Sequence, residues 1–441
     1  MLTIEQQIER NAQRMPEKVA LICKDSMVSY GELWDRCCEE AKRLQEDASF
    51  YKGKRVILAA AGKIEFVYQY FGIHLAGGIC VPIDPDTKPL RREYIERMIA
   101  EGEPKPDMAD VLFTTGTTGA PKGVVLTHEN LAAAARNINE FIGNTEDDVE
   151  LLALPVSHSF GLGRLRCVLS KGGTIVLLGT FANVKRFFTA LDEYHVTGFG
   201  MVPASWLYLK KMSGERMKGL ADQLRYIEIG SSFMPIEEKE LLMEWLPKTR
   251  ICMHYGLTEA SRSAFMEFHA YKDNLLSIGR PAPHADIRII DGEICVKGEH
   301  VCQSYWHESA ERIAQDFHGD YFRTGDSGWM DENGDIYIKG RIKEMINVGG
   351  EKVSPMEVED VLNAIPLIRE SACCAMHDAV MGEVVEAFIV ENEPIGDAEI
   401  WDIIRPQLEN YKWPRKIVRI EAIPKTSSGK IQRLQLVNSE K

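Results

Sequence analysis

Residues 112–124 read LFTTGTTGAPKGV, with four threonines, three glycines and a lysine between the apolar run ADVLF and the segment VVLTHEN. Backbone N–H groups in a Gly-rich segment can wrap an anion. The threonine hydroxyls add donors, and Lys122 adds a positive charge. The stretch is not a Walker A loop, which needs G-x-x-x-x-G-K-[ST]. Gly116 and Gly119 are three apart, and Gly123 follows Lys122. TSSGKI fails the same pattern because Ile431 follows Lys430. A P-loop kinase or NTPase is therefore disfavoured. Taken alone, 112–124 reads equally as a Gly/Thr surface loop.

A second feature is electrostatic. From 411 to 433 there are seven cations (Lys412, Arg415, Lys416, Arg419, Lys425, Lys430 and Arg433) and one anion, Glu421. The whole chain of 441 residues carries a formal charge of −14. The plain reading of a charge run is a solvated face, and a local reversal of sign over TSSGK is more pointed than that. The acidic total makes nucleic acid a poor partner.

Elements that could position these residues follow from the apolar pattern. Segments 54–62, 77–83, 148–155, 173–179, 197–203 and 225–230 read as buried strands. Helix patterns such as 63–76 and 181–195 lie between them, which predicts layered α/β architecture with largely parallel sheets. From about residue 283, ADIRIID, GEICVKG and GDIYIKG with Asp-Gly and Asn-Gly turns predict a β-rich subdomain. The last 100 or so residues read as a small α+β domain, with a boundary in GRIKEMINVGGEKVSP (340–355). The expected organisation is a large N-terminal domain, 1–340, and a small mobile C-terminal domain, 341–441. No apolar run approaches the ~20 residues of a spanning helix. The first residues predict an amphipathic helix and a strand, without the basic start and apolar stretch of a signal peptide. Ten cysteines without a CxxC pair suggest reduced thiols, no zinc and a cytoplasmic location.

LFTTGTTGAPKGV resembles the signature of the AMP-forming adenylate-forming superfamily, which contains acyl- and aryl-CoA synthetases, amino-acid adenylation domains and beetle luciferases. Further matches come in the family's order: LPVSHSFGLG (154–163), IGSSFMP (229–235), HYGLTEAS (254–261), SIGRPAP (277–283), GEICVKG (292–298), YFRTGDSGW (321–329), GRIKEMINVGGEKVSP (340–355) and IPKTSSGKIQR (423–433). The resemblance implies a two-step reaction. A carboxylate attacks the α-phosphate of ATP to give acyl-AMP and pyrophosphate, and a thiol of CoA or of carrier phosphopantetheine then takes the acyl group.

It also implies roles. Thr114, Thr115, Gly116, Thr117, Thr118, Gly119 and Lys122 would hold the β- and γ-phosphates. Gly230, Ser231 and Ser232 would form the adenine loop, with Tyr255 stacked near the base and Gly256 beside it. Thr258 would contact the α-phosphate, and Glu259 would hold Mg²⁺. Asp326 would take the ribose hydroxyls, with Arg341 as a second ribose or phosphate contact. Lys430 would bridge the carboxylate and the α-phosphate, and His158 would gate the acid. Lys343 would be the hinge, and Val348, Gly349 and Gly350 would face the thiol arm.

Plainer readings stand beside these: a strand end with Thr258 as a helix cap, Asp326 in a turn, Arg341 as a solvated charge, and 348–350 as a hairpin turn. HSFGLGRLRC lacks the Asp with which amino-acid adenylation domains hold an α-amino group. A non-amino acid is therefore expected. Arg164, Arg166 and Arg262 would signal an anionic substrate group if they reached the acyl pocket, and are otherwise expected to face outward in salt bridges. The chain is shorter than many members, with only LRREYIERMIAEGEPKPD between VPIDPDTKP and ADVLF. The rivals are an amino-acid adenylating enzyme loading a carrier protein, and a catalytically silent nucleotide-binding scaffold.

Overall fold

The computed structural model describes residues 1–104, 107–114, 121–426 and 429–438. The chain divides into two compact units. Of the described residues, the first takes those up to Ile287 together with Val296–Phe322, and the second takes Arg288–Cys295 and those from Arg323 onward.

The first unit is built on two sheets. One has nine strands in the order Arg280–Pro281, Ala264–Glu267, Arg250–Tyr255, Tyr226–Ile229, Gly198–Met201, Val149–Leu152, Thr174–Leu177, Val19–Cys23 and Ser26–Ser29. The strands from Arg250–Tyr255 to Val19–Cys23 are mutually parallel, and antiparallel pairs close both ends. The expected strands are therefore present, and so are the helices between them (Ile64–Leu75, Val184–Glu193). Short strands of a parallel sheet are covered on both faces, which is why they read as largely apolar runs. Helix Val184–Glu193 buries Phe187, Phe188 and Leu191. Each such side chain contributes about 1.5–3 kcal/mol.

The second sheet runs Ser304–Tyr305, Gly123–Thr127, Met108–Phe113, Ile79–Ile83 and Arg55–Ala59. The shortened stretch before it forms the helix Pro89–Ala100, which buries Ile95 and Ile99. The amino-terminal helix Ile4–Arg14 starts at a capping box between Thr3 and Gln6 and buries Ile4, Ile8 and Ala12.

The β-rich stretch is present as the strands Asp286–Ile290, Glu293–Lys297, Tyr321–Met330 and Ile336–Arg341. Further along, the second unit has a sheet in the order Glu351–Val353, Ile346–Val348, Gly382–Glu391 and Ile368–Asp378, with Lys416–Arg419 parallel to Gly382–Glu391. Helices Pro355–Asn363 and Asp397–Ile404 follow the expected α+β pattern. Adjacent strand residues point to opposite faces. Accordingly Cys373 packs with Val358 and Ile400 in one core, and Cys374 with Phe388 and Ile423 in another. No helix among the described residues is long and apolar enough to cross a membrane.

Candidate active site

Four neighbouring parallel strands of the large sheet end at one edge. Their register pairs Ile229 with both Met253 and Met201. Val149–Leu152 leads into the segment with His158, which is exposed at the start of helix Ser159–Lys171. Tyr226–Ile229 leads directly into Gly230, Ser231 and Ser232, with Ser231 at φ 76. Arg250–Tyr255 leads into Gly256, Thr258 and Glu259. Ligands of open α/β sheets bind outside the carboxyl ends of the strands, and these segments lie there.

The segment after Tyr255 is a turn, not a helix start. Leu257 and Ala260 exchange backbone hydrogen bonds at 3.0 and 3.3 Å, and Ser263 N–H donates to the Tyr255 carbonyl at 2.8 Å. Thr258 and Glu259 occupy the tip, so the helix-cap reading of Thr258 is corrected. A Cβ on Gly256 would overlap the Arg262 backbone nitrogen and lie 2.8 Å from the Ala260 carbonyl oxygen. Only glycine fits this fold-back.

The Gly/Thr stretch is carried by an antiparallel hairpin, with Phe113 opposite Gly123. Its base is closed by Thr114 N–H donating to the Lys122 carbonyl at 3.0 Å. Thr115, Gly116, Thr117, Thr118 and Gly119 lie outside the described residues. Lys122 Nζ sits 4.7 Å from the centre of the Tyr305 ring, a cation–π distance. The Tyr305 hydroxyl donates to Glu259 Oε1 at 3.1 Å. Tyr305 was not expected from the sequence, because nothing in the spacing of SYW ties it to Glu259. As a Mg²⁺ site the donor set fits: Glu259 is a half-buried carboxylate with one oxygen engaged by a neutral hydroxyl, leaving oxygen donors for a hard cation.

The arginines after His158 are salt-bridged, but they do not face outward. Helix Ser159–Lys171 is buried from Phe160 to Ser170, so any arginine on it is interior. Arg164 Nε donates to Glu150 at 2.9 Å, and Arg164 Nη1 lies 3.2 Å from Glu228. Arg166 pairs with Asp110 at 2.9 Å and also donates to Tyr70. Arg262 pairs with Glu228 at 3.0 Å and donates to the carbonyls of Ser159 and Phe160. His254 Nδ1 lies 2.6 Å from Glu228. Burial works to raise the Glu228 carboxyl, but Arg262, His254 and Arg164 together hold it well below the usual range. These guanidiniums are committed to protein carboxylates and carbonyls and leave no charge for a substrate anion.

In the second unit, Asp326 is buried on strand Tyr321–Met330 directly opposite Arg341, so it is not in a turn. Arg341 Nε lies 2.9 Å from Asp326 Oδ1, and Arg341 Nη1 donates to the Thr324 carbonyl at 2.9 Å. Arg341 is therefore an ordered partner, not a loose surface charge. Lys343 is exposed in the single 3₁₀ turn Ile342–Glu344. Gly349 and Gly350, at φ 59 and 100, form the two-residue turn between Ile346–Val348 and Glu351–Val353, as the hairpin reading requires. Lys430 is exposed on a tight loop: Thr426 N–H donates to the Lys430 carbonyl at 2.8 Å, and Lys430 N–H to Thr426 Oγ1 at 3.1 Å. Three residues on, Arg433 is only partly exposed, paired with Glu344 at 2.9 Å and with Glu359.

Among the described residues, one group of three or more His, Cys, Asp or Glu side chains has metal-ligand spacing: Glu5, His74 and His128. His74 is already held on both sides, by Glu5 at 2.7 Å and Asp110 at 3.0 Å. Burial opposes its charge, but these two carboxylates raise His74 to about 9. The imidazolium is itself the cation of this cluster.

Comparison with known proteins agrees with this geometry. The family model "AMP-binding enzyme" matches residues 8–105 and 98–306, and "AMP-binding enzyme C-terminal domain" matches 357–430. A 2-succinylbenzoate–CoA ligase of Bacillus velezensis is 30% identical, over 97% of this chain and 96% of the relative. The 4-coumarate–CoA ligase 1 of Narcissus pseudonarcissus is 32% identical over 75% of this chain and 64% of its own. The solved O-succinylbenzoate coenzyme A synthetase of Bacillus subtilis, in complex with ATP and magnesium ion, superimposes with a TM-score of 0.87 at 27% identity, covering 98% of this chain and 99% of that one. With motifs, fold and both family models in agreement, the chain belongs to the AMP-binding enzyme family and is an ATP-dependent, AMP-forming acid–thiol ligase.

Proposed function

We propose that this ligase activates an aryl carboxylic acid without an α-amino group as acyl-AMP, and passes the acyl group to CoA in preference to a carrier protein. The observation that carries this reading is the convergence of the 158, 230–232 and 255–259 segments at one edge of the parallel sheet. The named relatives act on aryl acids, 2-succinylbenzoate and 4-coumarate. An amino acid lacks a partner on helix Ser159–Lys171, which has no acidic residue and whose two arginines are engaged internally.

The chemistry must bring a carboxylate to an anionic phosphate, so fixed donors and positive charge set the barrier. In our reading Lys122 and the Thr114–Gly119 loop hold the outer phosphates, while the Thr258 hydroxyl steadies the α-phosphate. Glu259 would hold Mg²⁺, which when bound would neutralise charge on the phosphates. Tyr255, Gly256 and Gly230–Ser232 receive the adenine, Asp326 and Arg341 the ribose, and His158 gates the acid. Lys430 bridges the acid carboxylate and the α-phosphate during adenylation. We place the working boundary at 340/341, with 1–340 as the AMP-binding domain and 341–441 as the mobile domain. Lys343 is then the hinge, in a turn short enough to absorb the change of direction. The Val348–Gly350 turn faces the pantetheine arm. Free thiols used as packing groups, Cys373 and Cys374 among them, support a cytoplasmic location.

The test is incubation with ATP, Mg²⁺ and CoA over aryl, short-chain, fatty and amino acids, with mass detection of thioester and AMP. An aryl-CoA product supports the reading. Aminoacyl transfer, or thioester only with a carrier protein, contradicts it.

A further inference from the structure

Glu259 is tied to the phosphate hairpin by the short segment 301–306. On one side, Ala260 bridges to Val301, and Cys302 N–H donates to the Glu259 carbonyl at 2.7 Å. On the other, Ser304 and Tyr305 pair with Val125 and Val124, and Trp306 N–H donates to the Gly123 carbonyl at 2.7 Å. Gly123 directly follows Lys122. Tyr305 therefore stands where both phosphate-facing elements meet, and its backbone is fixed from both directions. The residue is 7% exposed, with the ring under the Lys122 ammonium and the hydroxyl on Glu259 Oε1.

We infer that Tyr305 is a positioning residue for Mg²⁺·ATP. Its hydroxyl fixes one oxygen of Glu259 and so aims the other, while its ring face holds Lys122 beside the same site. The inference rests on the reading of Glu259 as the Mg²⁺ carboxylate. A carboxylate ligand without its supporting hydrogen bond keeps its charge but loses its orientation. Loss of such a partner typically costs about 10–100-fold in metal affinity or activity.

The test is calorimetric titration of ATP onto the full chain, without acid substrate, over a series of free Mg²⁺ concentrations. It is run on the wild type, Tyr305→Phe, Glu259→Gln and the double variant. Phenylalanine keeps the ring under Lys122, so ATP binding without Mg²⁺ should stay at the wild-type level. The Mg²⁺-dependent gain in ATP affinity should shrink by about tenfold or more in Tyr305→Phe. The double variant should be no worse than Glu259→Gln, because the hydroxyl acts through that carboxylate. A wild-type Mg²⁺ response in Tyr305→Phe, or additive losses in the double variant, would overturn the inference. A Glu259→Gln protein with an unchanged Mg²⁺ response would instead remove the reading of Glu259 on which it rests. Thermal unfolding of the ligand-free variants separates misfolding from misaiming. If Tyr305→Phe unfolds at lower temperature and loses Mg²⁺-free ATP binding equally, the role is structural and the inference fails.

Discussion

Arg341 Nε lies 2.9 Å from the buried Asp326 carboxylate, across a pair of antiparallel strands in which the two residues are direct partners. The arginine fixes the carboxylate's orientation from the strand, so a ribose hydroxyl would meet a preset acceptor. Asp326→Asn should weaken ATP binding by about 10–100-fold, the scale of one or two hydrogen bonds to a charged group. Arg341→Ala should weaken it in the same direction, with less than additive loss in the double variant. Calorimetric ATP affinities measure all three. Wild-type affinity in Asp326→Asn would exclude the ribose role.

Arg433 makes a different prediction although it belongs to the same sequence motif as Lys430. Its guanidinium is largely buried between Glu344 and Glu359, and burial alone would lower its pKa, but these two carboxylates outweigh that and raise it. Arg433→Ala would leave two partly buried carboxylates without their cation. That should cost about 3–5 kcal/mol of stability. Urea denaturation of the full chain measures the loss. A change within about 0.5 kcal/mol, the range of ordinary surface substitutions, would contradict the pairing.

The His74 cluster predicts a loss of stability on the alkaline side. His74 is raised from 6.5 to about 9 by Asp110 and Glu5 against the effect of burial. A raised folded-state pKa contributes stability that is full below about pH 6.5 and is lost as pH rises through about 9. The shift corresponds to something on the order of 3 kcal/mol. Glu5 and Asp110 are held low, so their contributions are lost on the acid side, as pH falls through their depressed values. Denaturation at pH 6 to 10 should show the wild type approaching a His74→Gln variant as pH rises. A constant difference across that range would contradict the charged state of His74.

Gly256→Ala should slow adenylation by about 10²-fold without unfolding the chain. The added Cβ would overlap the backbone of Arg262, which cannot yield as a flexible side chain would. The tip carrying Thr258 and Glu259 must then shift, and a misplacement of about 1 Å can cost 10²-fold in rate. Circular dichroism and ATP–pyrophosphate exchange together check this. Full exchange activity would contradict the fold-back geometry.

Most of the architecture was readable because buried parallel strands write themselves as short apolar runs, and the motifs marked the loops at their ends. The charges inside those runs were the signal for what was misread. Glu150 in DVELLALP, Glu228 in RYIEIG and Asp110 in ADVLF are fully buried, and each claims an arginine from 164, 166 or 262. A carboxylate in an all-buried strand demands a partner, but one-dimensional spacing does not name it. Thr258 looked like a helix cap because the same residue types serve turns. Tyr305 stayed hidden because its contact with Glu259 spans 46 residues and depends on the pairing of Ser304–Tyr305 with the phosphate hairpin.

ATP–pyrophosphate exchange over a panel of aryl acids reads out whether this chain forms an acyl-adenylate with the help of Lys430. Wild-type protein should exchange only when a suitable acid is present. Lys430→Ala should lose roughly 10²–10³ in exchange rate, as expected when one transition-state donor is removed. Its exposed side chain predicts an unchanged unfolding temperature. The variant should still transfer the acyl group from preformed acyl-AMP to CoA. Exchange at the wild-type rate in Lys430→Ala, or exchange supported by amino acids and not by aryl acids, would contradict the account.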